Sequence, residues 1–517
     1  MKLFALKSLF TVCMLSSTQL FAQQETVDTA VFSQIRKAEF SSSQIPNIAH
    51  YLTDVAGPRL TNSPGFIRAA TWAVATMKKW GMSNAALEPW GTFGKNWEIS
   101  EFAITMKVPY MQPVMAYPAP WSPNTKGVQK ALVTVLSRAQ YMDTLYIAQH
   151  LGDLKGKIIL VDGGTVNTSA NFKPSAERLS DAELANLKDS NMESRELIQQ
   201  YIGIFKNIAK ADALLKHSGA IAVITTGSTS INGTVVVQSF NAYKLNMPET
   251  LPKACMAAED CQKIKRLIKS GHPVELELNI QGKISPETSG YNVVGEIPGT
   301  DPKLKSQLVM LGGHLDSWSA ATGASDNAAG SIVMLEAVRL LDSLHLKPKR
   351  TIRIALWSGE EQGLLGSFNY AKIHFLDNGK VKPEQAKVSA YYNLDNGTGK
   401  IRGIYTQNND AIKPIFEQWF IPFNDLGATT VTTKNTGSTD HISFDWAGIP
   451  GFQFVQDPID YETRTHHSNQ DNYDHLQIDD LKQAAIIVAS FVYQSSIRPA
   501  MLPRKPLVIE PFAFDGI

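Results

Sequence analysis

Histidines and acidic residues recur in this sequence where apolar stretches stop. The run 308–311 leads into Gly312-Gly313-His314-Leu315-Asp316, and Asp326 follows twelve residues after His314. The run 351–357 leads into Ser358-Gly359-Glu360-Glu361, and 388–394 ends at Asp395. The run 451–455 precedes a polar loop that carries His466-His467. Imidazole nitrogen and carboxylate oxygen are donors that Zn²⁺ takes at about 2.0–2.2 Å, with a position left open for water in catalytic sites. His314, Asp326, Glu361, Asp395 and His467 amount to two histidines and three carboxylates, enough for two zinc ions per chain if one carboxylate bridges. Paired ions about 3.5–4 Å apart activate water and polarise a carbonyl or phosphoryl group.

Taken singly, each motif has an ordinary role. Asp326 opens a helical stretch over 327–344, where a carboxylate caps the helix and complements its dipole. Glu360-Glu361 reads as a solvated loop pair, Asp395 as a cap for the turn 397–399, and His467 as an exposed loop histidine. Their shared address argues otherwise. Open parallel sheets bind ligands outside the carboxyl ends of their strands, and four strand ends here each supply a histidine or a carboxylate.

The elements that must position these groups lie in the last of three tracts. Residues 276–517 alternate strand-like runs (292–297, 308–311, 351–357, 388–394, 451–455) with helical stretches, which predicts an α/β fold, a largely parallel sheet with helices on both faces. The first tract, 23–118, carries helix-like sequence at 43–55 and 65–80. The middle tract, 119–275, opens on the proline-rich segment 117–123. It holds two buried-strand signals, 157–161 and 220–224, with a polar helical stretch over 175–201 between them. The tail after Arg498 has prolines at 499, 503, 506 and 511 and reads as extended.

With 49 Lys plus Arg against 48 Asp plus Glu and no long charged run, the chain lacks the electrostatic footprint of a nucleic-acid binder. Residues 1–22 have Lys2 and Lys7 ahead of an apolar run and Ala22 ahead of a polar stretch, the layout of a secretory signal peptide. The apolar run is too short to span a bilayer, and no later segment is long enough, so the mature protein is expected to be exported, periplasmic or secreted. Removing the leader moves the net charge from +1 to −1. It leaves Cys255 and Cys261, which either pair in an oxidising compartment or serve as small buried hydrophobes.

The motif series resembles the cocatalytic di-zinc exopeptidases, the family of bacterial leucyl aminopeptidases, carboxypeptidase Q and glutamate carboxypeptidase II. It comprises Gly312 to Trp318, Gly323-Ala324-Ser325-Asp326-Asn327, Trp357 to Gly363, Leu394-Asp395 and His467 to Asp471. The His-x-Asp-Ser-Trp form is most like the carboxypeptidase Q branch. The likeness extends to Gly57-Pro58-Arg59-Leu60. The middle tract, through Leu154 to Ile158 and Ala211 to Ala220, resembles a protease-associated domain inserted between 23–118 and 276–517, with no catalytic pattern of its own and a role as a cover over the cleft. The resemblance assigns His314 and Asp395 to one zinc, Glu361 and His467 to the other, and Asp326 to both. It makes Glu360 the general base, worth roughly 10²–10⁴ in rate, and Asp316 the partner that orients His314. Where some relatives carry an oxyanion-stabilising tyrosine this chain has His466, with Tyr461 nearby as the other candidate donor. His441, in Gly437-Ser438-Thr439-Asp440-His441, is expected in the pocket wall rather than on a metal. The implied activity is hydrolysis of dipeptides or short peptides, and such relatives often form homodimers. A single-zinc glutaminyl cyclase on the same fold and a non-catalytic transferrin-receptor-like protein are the alternatives. Filled ligand and base positions argue against the second.

Overall fold

The computed structural model describes residues 25–163, 174–189, 195–227, 232–239, 242–285 and 288–512, so the leader 1–22 lies outside the described residues. The strands around the acidic motifs join one eight-stranded mixed sheet. Its order is Ser83–Thr92, Ser289–Ile297, Thr351–Trp357, Leu308–His314, Val388–Asn393, Gly451–Gln456, Ile401–Tyr405 and Thr430–Thr432. The four strands that precede the motifs are the central ones and run parallel to one another, while the pairs outside them include antiparallel ladders.

Both faces of this sheet are buried, as near-continuous apolar central strands require. Side-chain alternation divides the residues between them. Val309, Leu311, Ile352, Ile354 and Leu356 pack under the helices Thr29–Ser42, Pro64–Lys79, Ala329–Ser343 and Ile478–Ile497. Met310, Ala355, Trp357 and Tyr391 pack on the opposite face against Leu365–His374 and His441–Trp446. The helix Ile478–Ile497 is buried along most of its length. Among the described residues no helix is long and apolar enough to cross a membrane.

A second eight-stranded sheet draws its strands from Asn96–Val108 through Glu275–Ser285, reaching beyond both ends of the tract 119–275. At its centre lie Ile158–Asp162 and Ala222–Thr225, within a residue or two of the buried-strand signals. The polar stretch 175–201 does not form one helix. Its described residues form Asp181–Ala185, opened by a reciprocal Ser180–Glu183 capping box, and the start of a separate helix, Arg195–Ser218. The segment ahead of Ser180 is instead held against the end of the first sheet. Leu179 N donates to Asp457 Oδ1 at 3.0 Å, and Arg178 pairs with Asp457 and Asp480. Cys255 and Cys261 are both buried and free, so the disulfide does not form and they pack as apolar side chains. The tail 499–512 has no helix or strand.

Candidate metal centre

The carboxyl ends of the four central strands bring the sequence-selected groups together. His314 ends its own strand. Glu360 and Glu361 follow Trp357, Asp395 follows Asn393, and His467 comes from the loop after Gln456. Close backbone packing lets these loops meet. At Gly330, in the first turn of Ala329–Ser343, a Cβ would lie 2.1 Å from Leu394 O, so only glycine allows that helix to approach the Asp395 loop.

Asp326 sits between the two histidines. His314 Nε2 is 3.4 Å from Asp326 Oδ1 and 3.3 Å from Asp395 Oδ1. His467 Nε2 is 3.2 Å from Asp326 Oδ2 and 3.0 Å from Glu361 Oε2. Two half-sites thus share one carboxylate, with an oxygen turned to each. Asp326 does not cap the following helix. Asn327 does so through its Oδ1, which accepts from Gly330 N at 2.9 Å. Glu360 Oε2 lies 3.8 Å from His314 Nε2, beside that half-site.

The arrangement fits cations. Asp326 Oδ2, Glu361 Oε1 and Asp395 Oδ1 are buried and accept no hydrogen bond from the protein, a costly condition for a carboxylate unless a positive charge compensates it. Burial raises the pKa of Glu360 well above the carboxylate range, with Asp395, Asp440 and Glu361 adding repulsion. Burial likewise pushes Asp440 up to about 8. Dications among these acids would reverse that repulsion. The acids in turn draw the pKa of His314 well above its usual value against the opposing effect of burial.

Supporting contacts differ in one respect from the expected pattern. The nearer acceptor for His314 Nδ1–H is the backbone carbonyl of Asp316, at 3.0 Å, while the Asp316 carboxylate is 3.6 Å away. That carboxylate accepts from Thr61 Oγ1 at 2.7 Å and from the backbone amides of Glu360 and Glu361 at 3.3 and 3.4 Å. It therefore fixes the base-bearing loop, and the chain turn fixes the imidazole. Asp471 plays a similar part for Asp326. Its Oδ1 accepts from Ser325 N at 2.6 Å and its Oδ2 from Asp326 N at 3.0 Å. Arg59 is fully buried and donates to the carbonyls of Leu315, Leu52, Gly323 and Thr322, pinning the loop that joins His314 to Asp326.

Sequence reasoning did not find these supporting roles, although Arg59 and Asp471 stand inside the motifs it quoted. A buried arginine bound only to carbonyls has no local signature. His441 is buried, and its Nε2–H donates to Thr436 O at 2.9 Å, outside the ligand group. The His466 ring lies on His467, with centroids 3.9 Å apart, and stacks on Tyr461 at 4.7 Å. A His466 ring nitrogen also comes within 4.8 Å of donor atoms of Asp326 and His467.

Two histidines flank a shared carboxylate at the carboxyl edge of a mixed sheet, and the similarities that follow make this protein a metallo-exopeptidase, a hydrolase of peptide bonds. Residues 292–492 match the family described as Peptidase family M28. Carboxypeptidase Q of Homo sapiens is 25% identical over 456 residues, covering 88% of this chain and 85% of that protein. Leupeptin-inactivating enzyme 1 of Streptomyces exfoliatus is 34% identical over 173 residues, 33% of this chain and 37% of that protein. The fold recurs in a peptidase M28 precursor from Shewanella amazonensis SB2B, with a TM-score of 0.68 at 24% identity over 92% of this chain and 98% of that one. It recurs also in BSAP, a zinc aminopeptidase from Bacillus subtilis, with a TM-score of 0.57 at 21% identity over 90% and 95% of the two chains.

Proposed function

We propose that this protein is an exported di-zinc exopeptidase that hydrolyses dipeptides or short peptides, with Glu360 as general base. One observation carries the reading: Asp326 turns Oδ1 to His314 and Oδ2 to His467, so one carboxylate serves both half-sites. His314, Asp395 and Asp326 would hold one Zn²⁺, and Glu361, His467 and Asp326 the other. When bound, the pair would acidify a water and polarise the scissile carbonyl.

The chain's own residues then do the following. Glu360 lies beside the His314 half-site, with Oε2 3.8 Å from His314 Nε2, and its carboxylate takes the attacking water's proton and delivers it to the leaving amine. The Asp316 carboxylate, which accepts from the Glu360 and Glu361 amides, holds that loop at its working distance. Tyr461, buried among Asp326, Asp395 and Glu361, keeps its phenolic proton, and that proton suits it to donate to an oxyanion.

The test is Glu360→Gln in the full chain. The variant should keep two zinc ions per chain and lose at least about 10² in kcat; near-normal turnover would remove the general-base role. One zinc per chain with full activity would favour the glutaminyl cyclase reading instead. The tripartite leader supports export, checked by whether the protein recovered outside the cytoplasm begins after Ala22. We further read the second-sheet domain as a protease-associated cover that limits substrate length, a reading supported by its contacts with the 457–469 loop.

A further inference from the structure

Each metal-ligating histidine must have its second ring nitrogen held, because that contact selects the tautomer and aims the first nitrogen. For His314 the partner is a carbonyl two residues along the same loop. For His467 it comes from elsewhere in the fold. Nδ1 of His467 meets the side-chain carboxamide of Gln238, a residue 229 positions away that follows Val237 in the second-sheet part of the chain. With Nε2 bound to a metal ion beside Asp326 and Glu361, the neutral ring would carry its proton on Nδ1. A half-turn of the carboxamide exchanges its oxygen and nitrogen in place, so Oε1 can accept that proton.

The backbone around the contact supports the same pairing. Val237 N donates to His467 O at 2.9 Å, and Asn469 N donates to Val235 O at 3.1 Å. Val235 N donates to Asn469 Oδ1 at 2.7 Å. Val236 and Ser468 form an antiparallel bridge. His467 itself has φ 56°, a left-handed conformation that is unfavourable for a non-glycine residue. A short two-way ladder to another part of the chain is the kind of contact that holds such a residue in place.

We propose that Gln238 is a positioning residue for the metal centre. It fixes the tautomer and direction of His467, so the Glu361–His467 half-site is completed by the second-sheet domain rather than by the peptidase sheet alone. The inference rests on the di-zinc reading above. It implies that the domain does more than cover the cleft: its docking sets the affinity of one of the two ions.

The experiment measures the zinc dissociation constants of the full chain by competition with a chromophoric chelator, together with the visible spectrum of the cobalt-substituted protein. The proteins compared are wild type, His467→Ala, Gln238→Ala and Gln238→Glu. Gln238→Ala should weaken one ion by about 10–100-fold and leave the other within about twofold, the weakened ion being the one that His467→Ala removes. Its cobalt spectrum should change in the band lost in His467→Ala. Gln238→Glu, which can still accept from Nδ1–H, should restore most of the affinity. Wild-type constants for both ions in Gln238→Ala would overturn the proposal. So would equal weakening of both ions, or no rescue by Gln238→Glu. A wild-type chain that binds no zinc, or a His467→Ala chain with both constants unchanged, would overturn the di-zinc reading itself and this proposal with it.

Discussion

Donor types and spacings selected residues that the fold brings together, but neighbouring residues with equal claims in sequence separate in space. His466 and Tyr461 are the case in point. Tyr461 is 8% exposed and is set among Asp326, Asp395 and Glu361, whereas the His466 side chain is 37% exposed with Nδ1 3.5 Å from Glu462 Oε2. Gly397, at φ 83°, lets Tyr461 come close: a Cβ there would lie 3.0 Å from Tyr461 Cβ. Tyr461→Phe should lower kcat by about 10², the usual loss when one oxyanion donor is removed, and His466→Ala should have the smaller effect. Kinetics in the reverse order would return the role to His466. Arg59 makes a stability prediction at the same scale. Replacing it with Met leaves four buried carbonyls without their donor and should cost about 3 kcal/mol or more, read as a lowered urea midpoint.

Among the elements, the central strands were legible because each is a short apolar run ended by glycine or polar residues. All four point the same way, so the motifs that follow them gather at one edge of the sheet. The segment 174–189 was not legible in this way. Its composition suits a helix, yet long-range partners hold part of it extended across the 457–463 loop. Glu177 pairs with Ile459, and Arg178 joins Asp457 and Asp480, both nearly buried. The arginine is half exposed while both aspartates are buried. The pairing fixes the position of the segment. Arg178→Ala should speed limited proteolysis within 174–189 and raise cleavage of longer peptides relative to dipeptides. Unchanged length preference would separate this segment from substrate selection.

Over the whole molecule, the two sheets meet at an aromatic cluster beside the centre. Trp90 comes from the main sheet, Trp97 and Trp121 from the second-sheet part, and Trp318 from the metal-site loop. The Trp318 ring is 6.2 Å from that of His467 and 6.3 Å from that of Trp121. Remote from this joint, the core holds an acid that should make global stability depend on pH. Glu39, on Thr29–Ser42, is fully buried beside the Glu336 carboxylate. Burial first, then Glu336, raises its pKa from 4.5 to about 8. The folded chain therefore holds this proton more tightly than the unfolded one. The contribution is full below pH 4.5, declines as pH rises, and is lost by about pH 8. The loss is on the order of a few kcal/mol, visible in urea midpoints measured across that range. Glu39→Gln should flatten the dependence.

The sequence by itself determined which side chains could bind cations, the α/β alternation that carries them, and the family those residues resemble. The first two follow from local chemistry, donor identity and the period at which apolar residues recur, and the third from the motifs those residues form. Tertiary structure alone decided that Asp326 faces both histidines, that the carboxylate of Asp316 anchors the base loop, and that Gln238 meets His467. Those contacts join residues tens to hundreds of positions apart, and their geometry exists only once the strands have stacked and the second sheet has docked.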